Sequence, residues 1–173
     1  MTDHASYVTF MRVALEEAEE ASRAGELPIG GAVYGGGELL RRTQTRVRRE
    51  GSIVAHGELT GLMSAGMGVY SCKRPLVLVT TLEPCLMCLG AAMQCGVDVL
   101  IYGMKCAPDG AASAVGGLGA SGQRVPEIVG GVLEQECVEV FRHWPQAITH
   151  PAYGYVSAIL AAYGVSLSTQ AHR

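Results

Sequence analysis

This sequence is short of charge. Asp, Glu, Lys and Arg make up 17% of its 173 residues, and the net charge is −3. A strongly basic nucleic-acid binder looks different, although a local basic patch is not excluded. Long hydrophobic runs are also missing. A run such as Leu76–Val79 is far too short to cross a bilayer. Residues Met1–Ala5 lack the basic start and apolar core of a signal peptide. No internal repeat occurs, and no Asp or Glu follows Glu139. These absences predict a soluble, cytoplasmic protein with no membrane association.

Hydrophobic residues reach 49%, so a sizeable core can be buried. The length suits one domain. We expect a single unit over residues 1–173, with 145–173 as a C-terminal helical extension. Val8, Met11, Leu15, Ala18 and Ser22 recur at helical spacing, and Gly25 and Pro28 end that helix. Ile29–Tyr34 and Glu38–Thr45 read as a hairpin around Gly35-Gly36-Gly37, followed by a polar loop over Arg46–Ser52. Further helices are expected over Ala55–Ala65, from Pro84 to about Gln94, over Leu133–His143, and over Ala152–Tyr163 with Thr149 as N-cap. Strands are expected at Leu76–Thr80, Val97–Tyr102 and Ile128–Val132. The alternation of strands and helices argues for a layered α/β domain. The Gly-, Ala- and Ser-rich stretch Gly103–Gly131 reads as a surface connection that contributes in part to an active-site wall.

Two short pieces carry chemistry: His56-Gly57-Glu58 and Pro84-Cys85-Leu86-Met87-Cys88. A catalytic zinc takes three protein ligands and keeps one position open. One imidazole and two thiolates meet that count. Cys85 and Cys88 lie one helical turn apart on one face, at a helix start whose free N–H groups favour anionic sulfur. Glu58 stands too close to His56 in sequence to join it comfortably as a ligand, but it can take a proton from metal-activated water and pass it on. A structural zinc site would want a fourth Cys or His at regular spacing, and Cys72 and Cys95 form no second pair. The two pieces in this order match the H-x-E…P-C-x-x-C signature of zinc deaminases.

The sequence thereby resembles the cytidine-deaminase-like superfamily, most closely the branch holding fungal cytosine deaminase, bacterial guanine deaminase and tRNA adenosine deaminase. The resemblance runs from about Phe10 to Phe141. It is strongest in Glu26-Leu27-Pro28-Ile29-Gly30-Gly31-Ala32 and in Thr80 to Ala91, which holds Thr-Leu-Glu-Pro-Cys-Leu-Met-Cys. It implies a three-layer α/β domain: a five-stranded mixed sheet between helices, with strands four and five parallel. It also implies a homodimer or higher oligomer, Zn2+ held by His56, Cys85 and Cys88, and Glu58 as the proton carrier. Backbone N–H groups of Gly57 and Cys85 would contact the substrate.

The departures bear on the substrate. Most of the branch has Ala where this chain has Gly57, as fungal cytosine deaminase does. A substrate-binding Asn of the branch falls at Thr45, which cannot make the paired donor–acceptor contact of an amide. Cytosine deaminase uses a C-terminal acid, and this chain has none there. Asp109, Trp144 and Tyr153 are further candidates for substrate contact, with Phe141 and Tyr155 also able to cap the pocket. Arg41, Arg42, Arg46, Arg48 and Arg49 form either a solvated edge or a phosphate contact. The expectation from sequence is hydrolytic deamination of a free nucleobase or similar heterocyclic amine, with water as co-substrate and no nucleic-acid partner. The alternative is adenosine-to-inosine deamination in tRNA.

Overall fold

A computed structural model describes residues 4–112, 115, 122, 124–146 and 149–167. Five strands make one sheet: β1 (Gly30–Gly35), β2 (Glu38–Gln44), β3 (Leu76–Leu82), β4 (Val99–Met104) and β5 (Glu127–Val129). Their order is β2-β1-β3-β4-β5. β1 runs antiparallel to β2 and β3, while β3, β4 and β5 run parallel. The sheet is therefore mixed and its last two strands are parallel, as the resemblance implies.

The pleat decides the layers. Along β3 every residue is buried, yet successive side chains enter different cores. Val77 and Val79 join Ala32, Val99 and Ile101 in one cluster, under α1 (His4–Arg23), α6 (Glu134–Arg142) and α7 (Tyr153–Ala161). Leu76 and Leu78 join Val33 and Leu100 in the other, under α3 (Gly57–Ala65) and α5 (Leu86–Gln94). Two short helices, α2 (Val47–Glu50) and α4 (Gly68–Ser71), complete this set. The result is helices, sheet, helices.

Several boundaries differ from the sequence expectation for local reasons. The buried stripe of α1 is Phe10, Met11, Ala14, Ala18 and Ala21, rotated from Val8, Leu15 and Ser22. Small residues are needed there because β1 passes very close: a Cβ on Gly30 would lie 2.2 Å from the carbonyl oxygen of Ala14. The Arg46–Ser52 loop contains α2, whose first N–H groups, those of Arg48 and Arg49, donate to the buried carboxylate of Glu26 at 3.0 and 2.8 Å. That cap comes from a residue far away in sequence. Pro84 stands outside α5 rather than opening it, because Cys85 is the N-cap. Ala152, not Thr149, precedes α7, and its N–H donates to Nδ1 of His150 at 3.0 Å. The last strand is Glu127–Val129, slightly earlier than expected. Among the described residues no helix is long and apolar enough to cross a membrane.

Candidate metal and proton-transfer site

The site stands where two helices begin. His56 is the extended N-cap of α3 and Cys85 the extended N-cap of α5. α3 is pinned to β2 by Thr43, whose hydroxyl donates to the carbonyl of Gly57, as does that of Thr60. Strand β3 ends at Leu82, and Glu83-Pro84 carry the chain directly to Cys85. The Cys106–Ala112 loop after β4 closes against this corner. Glu83 holds it, one carboxylate oxygen accepting from the N–H of Cys106 at 3.0 Å and the other from that of Ala112 at 2.9 Å. Cys85 and Gly110 form an isolated bridge, and the N–H of Ala111 donates to the Pro84 carbonyl at 3.0 Å.

His56, Cys85 and Cys88 offer one ligand atom each, all within 4.8 Å of one another. The Nδ1 atom of His56 lies 3.6 Å from both sulfurs. Tetrahedral zinc with Zn–S of about 2.3 Å and Zn–N of about 2.05 Å would separate nitrogen and sulfur by about 3.6 Å. The donors thus already stand at tetrahedral spacing, and zinc fits them. Protonation follows the same geometry. Hydrogen bonds from Cys88 and His56 pull the Cys85 thiol down to about 4. Donation to Cys85, with burial, raises Cys88. The bond to Cys85 raises His56. The helix start thus favours anionic sulfur at Cys85, and a bound metal would displace the thiol protons.

Glu58 is buried at 5% exposure, in the first turn of α3. Burial raises its pKa, and the Thr80 hydroxyl donates to it at 3.3 Å. Beside it a small cavity is lined by Ile29, Thr45, His56, Gly57, Glu58, Leu82, Glu83, Cys85, Asp109 and Tyr155.

Of the residues singled out from sequence, Thr45, Gly57, Cys85 and Asp109 therefore meet at one cavity with His56 and Glu58. Trp144 is 2% exposed and packs against His150 in a tilted arrangement, with ring centroids 4.7 Å apart, away from the cavity lining. Tyr153 is 46% exposed and outside the lining as well. The aromatic residue at the cavity is Tyr155. Helical spacing separates the two tyrosines: Val156, Ile159 and Leu160 set the buried face of α7, and Tyr155 borders it. Sequence reasoning did not single out Glu83 or Ile29; the polar residue just before Pro84 was the available signal for the former. Four of the five clustered arginines make contacts within the chain: Arg41 to the Ser64 carbonyl, Arg42 to Glu16, Arg46 near Glu50 and Arg48 to the Gly25 carbonyl.

Residues 5–104 match the family described as the cytidine and deoxycytidylate deaminase zinc-binding region. The chain is 31% identical to a tRNA-specific adenosine deaminase of Bacillus subtilis, over 74% of this chain and 81% of that protein. It is 36% identical to a tRNA(Ile)-lysidine synthase of Deinococcus deserti over 78% of this chain. It spans only 26% of that protein's length, so the likeness is to one part of a larger molecule. A solved structure from a study of A-to-I editing by tRNA:A34 deaminases superposes with a TM-score of 0.68, at 29% identity over 76% of this chain and 98% of that one. This chain belongs to the cytidine and deoxycytidylate deaminase family.

Proposed function

We propose that this chain is a zinc-dependent hydrolase that replaces the exocyclic amino group of a base with oxygen from water and releases ammonia. The observation that carries this is His56 Nδ1 standing 3.6 Å from each of two thiols, with the buried carboxylate of Glu58 in the same cavity lining. Zinc, when bound, supplies a Lewis acid that makes water nucleophilic near neutral pH. His56, Cys85 and Cys88 hold it. Glu58 accepts the proton that water loses, delivers it to the ring nitrogen next to the attacked carbon, and then serves the departing amine. The N–H groups of Gly57 and Cys85, at the two helix starts, orient the base.

The family's tRNA-directed members support an adenine carried in tRNA as that base. Adenosine in tRNA is the substrate named for the Bacillus subtilis relative, which is matched over most of its length. A second reading, a free nucleobase or similar small heterocycle, is favoured by Thr45 in the wall of the cavity and by the cavity's small size, about 30 Å³ of free space. The net charge of −3 adds to it.

The same assay tests both. Zinc-loaded protein is given an anticodon stem-loop RNA with adenosine at the wobble position, and separately adenine, guanine and cytosine. Inosine in the RNA supports the first reading, and ammonia from a free base alone supports the second. A Cys85→Ser, Cys88→Ser double variant is expected to lose both zinc and turnover. Undiminished zinc in it would refute the ligand set.

We also propose a homodimer. Ile53, Met63, Met67 and Leu86 are 84%, 71%, 76% and 56% exposed around α3 and the start of α5, an apolar set that a second copy would cover.

A further inference from the structure

The cavity beside Glu58 is too small to be a working binding site as it stands. Its free space is about 30 Å³, room for about a water molecule, whereas ligand pockets start at about 300 Å³. Part of its wall is a single aromatic side chain, that of Tyr155. Tyr155, the third residue of α7, donates its hydroxyl to Oδ1 of Asp109 at 2.9 Å. Cys106 donates its thiol to the same oxygen at 2.8 Å and lies 3.2 Å from the Tyr155 oxygen. Asp109 and Tyr155 both line the cavity and belong to different parts of the chain.

The backbone on both sides is held. Val156, Ile159 and Leu160 fix α7 in the core. Further along, the Tyr163 hydroxyl donates to Glu134 at 3.0 Å and accepts from the Lys105 N–H at 2.5 Å. Glu83 holds the Cys106–Ala112 loop by two N–H groups. Between these held segments the Tyr155 side chain turns on two rotatable bonds and is tied at its tip by Asp109 and Cys106.

We propose that Tyr155 is a latch on Asp109: an incoming base displaces the phenol and offers its own N–H to the Asp109 carboxylate, so this pair sets which bases the site admits. The inference rests on the free-base form of the deaminase reading and deepens it; adenosine in tRNA, whose remaining edge atoms are all acceptors, is a base that it disfavours. Its chemistry follows from Asp109. An ionised carboxylate only accepts hydrogen bonds. Whatever replaces the phenol must therefore donate, and hydrogen bonds to a charged acceptor are about twice as strong as neutral ones. The class selected is an amino-substituted heterocycle with a further N–H on its edge. A base whose remaining edge atoms are all acceptors is disfavoured. The Thr45 hydroxyl can donate or accept, so it tolerates either.

The two halves of the latch predict effects of opposite sign. Tyr155→Phe keeps the ring but removes the bond that substrate must break, while leaving the carboxylate in place with its Cys106 contact. Asp109→Ala removes the carboxylate that substrate must reach. Both variants, and the parent, are made in a Glu58→Gln background that holds turnover down, and loaded with zinc. Each is titrated with adenine, guanine and cytosine by calorimetry, with thermal melting and zinc content as checks on folding. The expected result is that Tyr155→Phe binds its preferred base about tenfold more tightly and Asp109→Ala about tenfold more weakly. A residue pair that only supports the fold would move both in the same direction. Shifts of one sign in both variants, no shift in either, or no binding of any base by all three proteins would overturn the proposal. Ammonia release by the wild-type chain reports separately on the deaminase reading.

Discussion

Glu58 is a buried carboxylate that accepts from the Thr80 hydroxyl. Burial raises its pKa, which makes it a better proton acceptor at neutral pH than an exposed glutamate. Glu58→Gln is nearly isosteric, so the fold and the zinc should survive. An amide can neither take the proton from water nor deliver one, and kcat should fall by about 10²–10⁴-fold or more, since one carboxylate serves several transfers. Steady-state kinetics with zinc content measured in parallel checks this; retention of about a tenth of the rate with zinc intact rules out the assignment. The sign of the pH dependence follows from the same shift. The ionised form is the active one, so kcat/KM should drop as pH falls. Because the pKa is raised, that drop should begin at higher pH than for an exposed glutamate. Profiles taken alongside zinc content at each pH separate it from metal loss.

At this scale much was legible in the sequence. His56, Glu58, Cys85 and Cys88 could be named because a metal site needs particular donors at particular spacings, and spacing is visible in one dimension. Tyr155 could not be separated from Tyr153 in that way. Which of the two faces the cavity depends on the rotation of α7 about its axis, and the core contacts of Val156, Ile159 and Leu160 set that rotation.

Elements were legible where their signals are local. The alternating cores of β3 and the helix after Pro84 follow from short-range pattern, to within a few residues. α2 was not visible because its cap, Glu26, lies some twenty residues away. The close packing of α1 on β1 was likewise hidden, since it depends on what Gly30 touches rather than on what it is. A related long-range device supports the site. Glu83 turns two backbone N–H groups of the Cys106–Ala112 loop inward, and a Cβ on Gly110 would lie 2.3 Å from its Oε2. Glu83→Gln puts an amide N–H against one of those donors. We expect a loss of about 1–3 kcal/mol in stability, the cost of an unsatisfied buried donor. KM should rise more than kcat falls, because the loop carries Asp109 but not the metal donors. Denaturant unfolding and steady-state kinetics together measure this. An unchanged KM would mean the loop does not need its anchor.

For the whole molecule the balance of charge and the family relationship pull in different directions. A net charge of −3 and arginines engaged within the chain disfavour a long phosphate footprint. The family's tRNA-directed members favour one. Salt decides between them: binding through phosphates weakens by orders of magnitude between about 50 and 200 mM salt when six to ten contacts are made. A gel shift with tRNA across that range should show steep weakening if the tRNA reading holds, and no specific complex if the free-base reading holds. Assembly bears on the same question, because a second copy covering Met63, Met67 and Leu86 would bury the face around α3. Sedimentation should show a dimer, and Met63→Glu should shift it towards monomer; a monomeric wild-type chain would contradict the proposed pairing.

The central claim is that this chain uses water to replace an amino group on a base. The most direct measurement is turnover of zinc-loaded protein in ¹⁸O-labelled water, with mass spectrometry of the product and assay of ammonia, over the stem-loop RNA and the free bases. The account predicts one labelled oxygen per product and one ammonia released with it, both lost in Glu58→Gln. No ammonia from any substrate, or a product whose new oxygen is unlabelled, would contradict it.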